Sequence, residues 1–391
     1  MTRLARWPGS VMFEFYEFFA GGGMVRQGLG SKWRCRFAND FDLKKSATYR
    51  HNWGGEILNS ADIHKLTAED LPGIVDLAWA SFPCQDLSLA GGGAGLRGGR
   101  SGTFWTFWAL MKELIAEGRQ PRIIALENVC GMLTSHEGED FAAVCSMFES
   151  AGYVFGAVVI DAALFVPHSR PRLFMIGVRR DVKIPAALIR TAASQLWHTR
   201  GLRAALEKAP PVARSNWIWW SLPKPARRNT TFADLIEGHP ADVKWDPPAE
   251  TRRLLGMMSD VNRGKLDAAK AAKKRIVGAG YKRTRLDETG RKVQRAEFRF
   301  DEITGCLRTP AGGSSRQTVM FIDGETARSR LVSSREAARL MGLPEEYLLP
   351  NNYSEAYHLV GDGVAVPVVG FLATNIFEPI LASALAREKA A

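Results

Sequence analysis

Short runs of consecutive apolar residues alternate with stretches of helical spacing through the first half of the chain, and most runs stop at a glycine or a charged residue. Met12 to Phe19 is rich in aromatics and breaks into Ala20-Gly21-Gly22-Gly23, after which Met24 to Leu29 can open a helix. Arg34 to Asn39 reads as a second strand ending at Asp40, with a helix from Leu43 to His51 for which Asp40 or Asp42 is a capping candidate, and a later short segment ends at Asp62. Val75 to Ala80 is a short buried strand. Thr103 to Glu117 places Phe104, Phe107, Trp108, Met111, Leu114 and Ile115 on one helical stripe. Arg122 to Leu126 is a further strand and runs into Glu127-Asn128-Val129. A helix over Phe141 to Ala151, a strand over Tyr153 to Ile160 and a strand over Leu173 to Gly177 complete the series. Apolar strands alternating with helices give an α/β architecture with a sheet buried on both faces. Met1 to Val11 has no periodicity and receives no role.

The ends of these runs carry the candidate chemistry. In doubly wound sheets, ligands gather beyond the carboxyl ends of the strands. Ser81-Phe82-Pro83-Cys84-Gln85-Asp86-Leu87-Ser88 puts one cysteine at such an end and at the mouth of a glycine-rich loop (Gly91, Gly92, Gly93, Gly95, Gly98, Gly99). A lone cysteine is ordinarily a small buried hydrophobe. Glu127, however, ends an apolar strand where an unpartnered carboxylate is costly to desolvate. Pro167-His168-Ser169-Arg170-Pro171-Arg172 places two arginines at the start of the next strand, two apart and so on one face. The glycine turn lets backbone approach a ligand, and a carboxylate after the second strand suits ribose hydroxyls.

Composition then narrows the class. The 391 residues, 46% hydrophobic and 24% charged, suit a soluble chain of one large and one smaller domain. No run reads as a transmembrane helix or signal peptide, so a cytoplasmic protein is expected. The five scattered cysteines have neither zinc nor disulfide spacing and are expected to be reduced. A formal net charge of +11 favours a binder of phosphate backbones. Basic clusters lie in the middle segment: Arg227-Arg228, Lys270 to Arg275 with Lys273 and Lys274, and Lys282 to Arg285. Trp217, Trp219 and Trp220 lie there too, and either fill a core or flank a nucleic acid. Arg308 and Arg316 bracket a turn-rich stretch, Thr309 to Ser315, placed to face DNA.

Phe19-Ala20-Gly21-Gly22-Gly23, Pro83-Cys84-Gln85, Glu127-Asn128-Val129 and Arg170-Pro171-Arg172, in that order, resemble the DNA cytosine-5 methyltransferase family. Arg335 to Gly342 and Gly361-Asp362-Gly363-Val364 are similar to its last two motifs. The resemblance covers residues 12–180 and 330–380. It implies a Rossmann-like methyltransferase domain, its mostly parallel sheet flanked by helices, plus a smaller target-recognition domain. The expected division is 12–180 for the first part of the catalytic domain, 181–330 for target recognition and 331–391 for the return to the catalytic domain.

The same resemblance implies S-adenosylmethionine as methyl donor. Phe19, Gly21, Gly23, Asp40, Phe41, Asp62, Phe82, Phe104, Gly363 and Val364 would hold it, with Asp40 on the ribose and Asp62 on the adenine amine. Cys84 would add to carbon 6 of cytosine, Glu127 would bond the ring nitrogen and exocyclic amine, and Arg172, with Arg170, would make the thiol electropositive surroundings. Gln85, Ser88, Arg227, Arg228, Lys273, Lys274, Arg308 and Arg316 would contact DNA, and the target base would flip out beneath the glycine-rich loop. Double-stranded DNA is the implied partner, a cognate restriction endonuclease a candidate companion, and a monomer in a bacterial or phage setting the expected state.

Three other readings stay open on sequence: a transfer-RNA cytosine methyltransferase on the same fold, a catalytically silent DNA-binding regulator, and a nicotinamide-dependent oxidoreductase that rests only on the glycine turn. Met24, Glu17, His168 and Asp362 stand where the family usually has Gly, Asp, Gln and Asn. Asp362 is expected to point to solvent or to a backbone N–H.

Overall fold

A computed structural model describes residues 12–83, 102–308 and 315–388. The strands of its main sheet are β1 (Phe13–Phe18), β2 (Trp33–Asn39), β3 (Leu58–Asn59), β4 (Leu77–Ala80), β5 (Ile123–Val129), β6 (Tyr153–Asp161) and β7 (Pro171–Arg179). They lie in the order β3-β2-β1-β4-β5-β7-β6. The first five are parallel, and β7 runs antiparallel to both β5 and β6. Because β7 is reversed, its first residues lie at the edge where β4 and β5 end. Arg172 is paired with Val129 on one side and Ile160 on the other.

Helices α1 (Met24–Leu29), α2 (Leu43–Trp53), α3 (Thr103–Ala116) and α4 (Glu139–Ser150) follow the strands as their apolar spacing predicts. Asp42 caps α2 by accepting the N–H groups of Lys44 and Lys45. Phe107, Trp108 and Phe148, from α3 and α4, pack against Tyr16, Phe18 and Ala78 on one face of the sheet. The other face holds Phe15, Trp79 and Phe174 against the C-terminal helices. Burying each such side chain contributes roughly 1.5–3 kcal/mol.

The stretch after β7 does not separate at once. It contains a two-stranded ribbon, β8 (Ile189–Arg190) with β9 (Trp219–Trp220), and helices α5 (Arg200–Lys208) and α6 (Pro211–Ser215). These cover the edge strand β6, whose Phe155 and Val159 N–H groups donate to Asn216 O and Trp197 O. Trp220 is fully buried in the main core, and Trp217 packs on Phe141 and Phe155. Trp217 and Trp220 therefore pack into the core beside the main sheet rather than standing open at the surface.

Helices α7 (Pro248–Gly256) and α8 (Asp260–Ala271) lead into a second, antiparallel sheet of β10 (Ile276–Leu286), β11 (Lys292–Arg299), β12 (Thr318–Asp323) and β13 (Thr326–Leu331), ordered β11-β10-β12-β13. Its own core joins Leu254, Met258 and Leu266 to Phe298, Met320 and Ile322. Its other face gives Ala279, Val319 and Phe321 to the main core. The chain then returns through α9 (Ser334–Leu340), α10 (Tyr353–Asp362), α11 (Val366–Leu372) and α12 (Glu378–Glu388), with one π turn over Ala373–Phe377. Ser333 and Glu336 form a reciprocal cap on α9.

Residues 353–388 are long and apolar enough, by length and composition, to cross a membrane. Tyr357, Val360, Val369, Leu372, Phe377 and Ile380 are nevertheless fully buried against the sheet, as in a core helix.

Candidate active site

The carboxyl edge of β1 carries backbone strain that the sequence does not announce. Phe19 has φ 58, a conformation unfavourable for a residue with a Cβ, and Gly21 and Gly23 follow at φ 56 and 78. Close approach explains the middle glycine. A Cβ on Gly22 would lie 2.1 Å from the Tyr347 hydroxyl, which donates to Gly22 O at 2.7 Å. Trp53 Nε1 donates to the same carbonyl at 3.0 Å. Asp40, buried at the end of β2, accepts Gly21 N–H at 2.7 Å through Oδ2 and Asp42 N–H at 2.9 Å through Oδ1. Burial pushes its carboxyl up despite nearby Lys45.

Beside it, Phe41 is 66% exposed, an aromatic face left open at a strand end. Asn39 Nδ2 donates to Asn59 O and Ala61 O, bringing the segment with Asp62 alongside. Asp62 Oδ1 accepts His64 N–H and meets the His64 ring at 2.8 Å. Phe82 and Phe104 pack at 5.0 Å between centroids, both buried. Gly363 lies so close to Met24 that a Cβ would stand 2.2 Å from its sulfur, and Val364 is buried beside it. An open aromatic at Phe41, a half-exposed carboxylate at Asp62 and a glycine turn are residue types suited to the rings, hydroxyls and backbone contacts of a nucleoside joined to an amino-acid tail. Tyr347, Trp53 and Asn39 were missed by sequence reasoning, because only folding brings them to the turn.

Asp362 stays exposed, as expected, but it also has a charged partner that the sequence did not suggest. Its Oδ2 pairs with Lys45 Nζ at 2.8 Å, tying α10 to α2. The partner comes from more than three hundred residues away, which local glycine content cannot forecast.

At the next strand ends, Glu127 is 7% exposed and its Oε1 lies 3.2 Å from Arg172 Nε. Burial pushes the Glu127 carboxyl up, while Arg172, Arg170 and a hydrogen bond from Ser81 pull it down without cancelling the rise. Such a carboxyl holds a proton more readily than an exposed glutamate does. Asn128 Nδ2 donates to Phe82 O at 3.2 Å, fixing the backbone just before Pro83. Cys84, Gln85 and Ser88 lie outside the described residues, as does the glycine-rich loop. Arg170 is buried, and its guanidinium donates to Gly361 O and Gly363 O, each at 2.8 Å.

Residues 13–378 match the family described as C-5 cytosine-specific DNA methylase. The chain belongs to that family. It is similar to the type II methyltransferase M.BsuFI of Bacillus subtilis, 25% identical over 373 residues that cover 95% of this chain and 74% of that protein. It is similar also to M.HhaI of Haemophilus parahaemolyticus, 25% identical over 369 residues covering 93% of each. Among solved structures, S. pombe Dnmt2 methyltransferase superposes with a TM-score of 0.59 at 17% identity, covering 94% of this chain and 99% of that one, a likeness of fold. The protein is a DNA cytosine-5 methyltransferase that takes its methyl group from S-adenosylmethionine.

The methyltransferase's basic residues divide by setting. Arg227, Lys273 and Lys274 are exposed, with Lys273 at φ 52 beyond the end of α8. Arg228 is half-buried and donates to Ala163 O at 3.3 Å. Arg308 lies over the Tyr281 ring at 5.6 Å. Arg316 donates to Ser354 Oγ at 2.8 Å and lies over Tyr353 at 5.0 Å, held against α10. In the other clusters, Lys270 pairs with Glu325, and Arg283 and Arg285 share Glu297.

Proposed function

We propose that this methyltransferase acts through Cys84 as nucleophile, with Glu127 and Arg172 as the groups that meet the cytosine ring. The observation that carries this reading is the 3.2 Å contact between Arg172 and a Glu127 carboxyl raised by burial, one strand away from the end that leads to Pro83. Carbon 5 of cytosine is too weak a nucleophile to be methylated directly. Addition of the Cys84 thiolate to carbon 6 sends electron density to carbon 5, while protonated Glu127 donates to the ring nitrogen and keeps that density from stranding as charge. Arg172 holds Glu127 in place and adds positive charge beside the adduct. The sulfonium of bound S-adenosylmethionine supplies the electrophilic methyl group. Water then takes the carbon-5 proton, the C6–S bond breaks to release Cys84 as thiolate, and the ring-nitrogen proton returns to Glu127, which restores the ring.

Asp40, Asp62, Phe41 and the Phe19 to Gly23 turn hold the cofactor in this reading, with Phe82 and Phe104 as its floor. The target cytosine leaves the duplex at a cost of a few kcal/mol. Within residues 181–330, the part around the second sheet contributes the recognition surface, with Arg227, Arg228, Lys273, Lys274, Arg308 and Arg316 facing DNA. The chain works as a monomer in a bacterial or phage-infected cytoplasm, with a cognate restriction endonuclease as companion.

Duplex DNA carrying 5-fluorocytosine at methylated sites tests the nucleophile, because fluorine blocks the final proton loss. Wild-type protein with S-adenosylmethionine is expected to give a denaturant-stable adduct, and Cys84→Ala none. Equal trapping by both removes Cys84 from the chemistry.

A further inference from the structure

Cys306 is the described cysteine whose surroundings differ from the rest. Cys35, Cys130 and Cys145 are pushed up by burial. The segment that carries Cys306 leaves β11 and is stitched to the start of β7: Ser169 N–H donates to Thr304 O and Thr304 N–H to Pro167 O, each at 2.9 Å. There the Arg170 guanidinium meets it. Nη1 donates to Cys306 Sγ at 3.3 Å, while Nη2 holds the carbonyls of Gly361 and Gly363. One side chain thus joins three parts: the strand bearing Arg172, the approach to Arg308, and the α10 end that leads to Val364.

A guanidinium this buried requires an anion. The two carbonyls offer dipoles only, and Glu127, which Arg170 also reaches electrostatically, has its direct contact with Arg172. His168 brings no positive charge of its own: its Nε2 accepts Leu307 N–H at 2.9 Å, so Nδ1 carries the proton facing Leu340 O at 3.2 Å and the ring is neutral. Tyr357 on α10 also feels the sulfur, and burial pushes its hydroxyl up to about 12, so it remains protonated. The ionisable group that Arg170 Nη1 itself touches is the Cys306 sulfur, at 3.3 Å. Burial opposes its ionisation, but Arg170, a hydrogen bond with His168 and, behind them, Arg172 carry the thiol well below its usual range. The protonated form has a different use, a 3.4 Å contact from Sγ to Leu307 O.

We propose that Cys306 is a positioning residue for methyl transfer, clamping Arg170 so that the neighbouring Arg172–Glu127 pair keeps its place while DNA loads the 304–308 segment. This rests on the reading that Glu127 and Arg172 meet the base. The clamp acts through charge, so serine, close in size but neutral, fails to replace it.

The full-length chain and its Cys306→Ser and Cys306→Ala variants test this with three measurements. The first is the wild-type minus Cys306→Ser absorbance at 240 nm through a pH titration, which reads one thiolate without turnover. It is expected to show that thiolate already formed at neutral pH, and its appearance only above the usual cysteine range overturns the clamp. The second is turnover, with kcat expected to fall about tenfold or more in both variants. The third is S-adenosylmethionine affinity and melting temperature, expected to change little, with affinity within about twofold. Unchanged kcat, or a kcat loss matched by lost affinity or melting, overturns the positioning role. Absence of fluorocytosine trapping by Cys84 instead overturns the underlying reading, whatever the state of Cys306.

Discussion

Arg172 Nε reaches Glu127 Oε1 at 3.2 Å although the two residues sit on neighbouring antiparallel strands and neither is near the other in sequence. The contact leaves a buried carboxyl raised by its surroundings but held in a fixed orientation by a cation.

Glu127→Gln keeps the shape and removes the transferable proton. Methyl transfer to duplex DNA is expected to fall by about 10²- to 10⁴-fold, while cofactor affinity stays near wild type. Single-turnover transfer of labelled methyl groups reads the first, and titration calorimetry the second. A variant with more than a tenth of wild-type rate would exclude Glu127 as the proton donor.

Asp362 pairs with Lys45 at a half-exposed site, where an ion pair contributes about 0–1 kcal/mol. Asp362→Asn should therefore retain activity and change S-adenosylmethionine affinity by less than about tenfold. Calorimetry checks it; a larger loss would make the carboxylate a cofactor ligand.

Glu17 is fully buried on β1, and burial pushes its carboxyl up to about 8, opposed by Arg26 and the backbone N–H groups of Arg26 and Val25, with Asp40 adding to the rise. The folded-state value lies above the unfolded one. The neutral form's contribution is thus fully present below the ordinary carboxyl range and is lost as pH rises through about 8. The wild-type melting temperature should fall over that window, and Glu17→Gln should flatten the fall, melting about 4 °C above wild type at high pH. Parallel slopes for the two proteins would place the titrating group elsewhere.

Salt dependence reports the surface charges. Lys270, Arg283 and Arg285 already have carboxylate partners, whereas Lys273 and Lys274 are exposed at a turn. Replacing both lysines with Gln should reduce the slope of log affinity against log salt by roughly one for each phosphate contact removed, without changing the methylated sequence. Bisulfite sequencing of host DNA reads the sequence. A changed site would mean these lysines read bases.

The sequence by itself determined the alternation of strands and helices through Arg179 and the strand ends near Phe19 and Asp40, with Glu127 among the last residues of β5. These follow from apolar periodicity and glycine punctuation, both local to a few residues. Tertiary structure alone decided what those ends meet. Reversal of β7 delivers Arg172 to Glu127, since a strand's direction depends on its neighbours and not on its own pattern. Trp217 and Trp220 went to the main core because an exposed edge strand, β6, needed covering, a demand that does not appear in their own segment. Asp362 found Lys45, and Arg170 found Cys306, across separations that chain folding brings to under 4 Å and that no local pattern encodes.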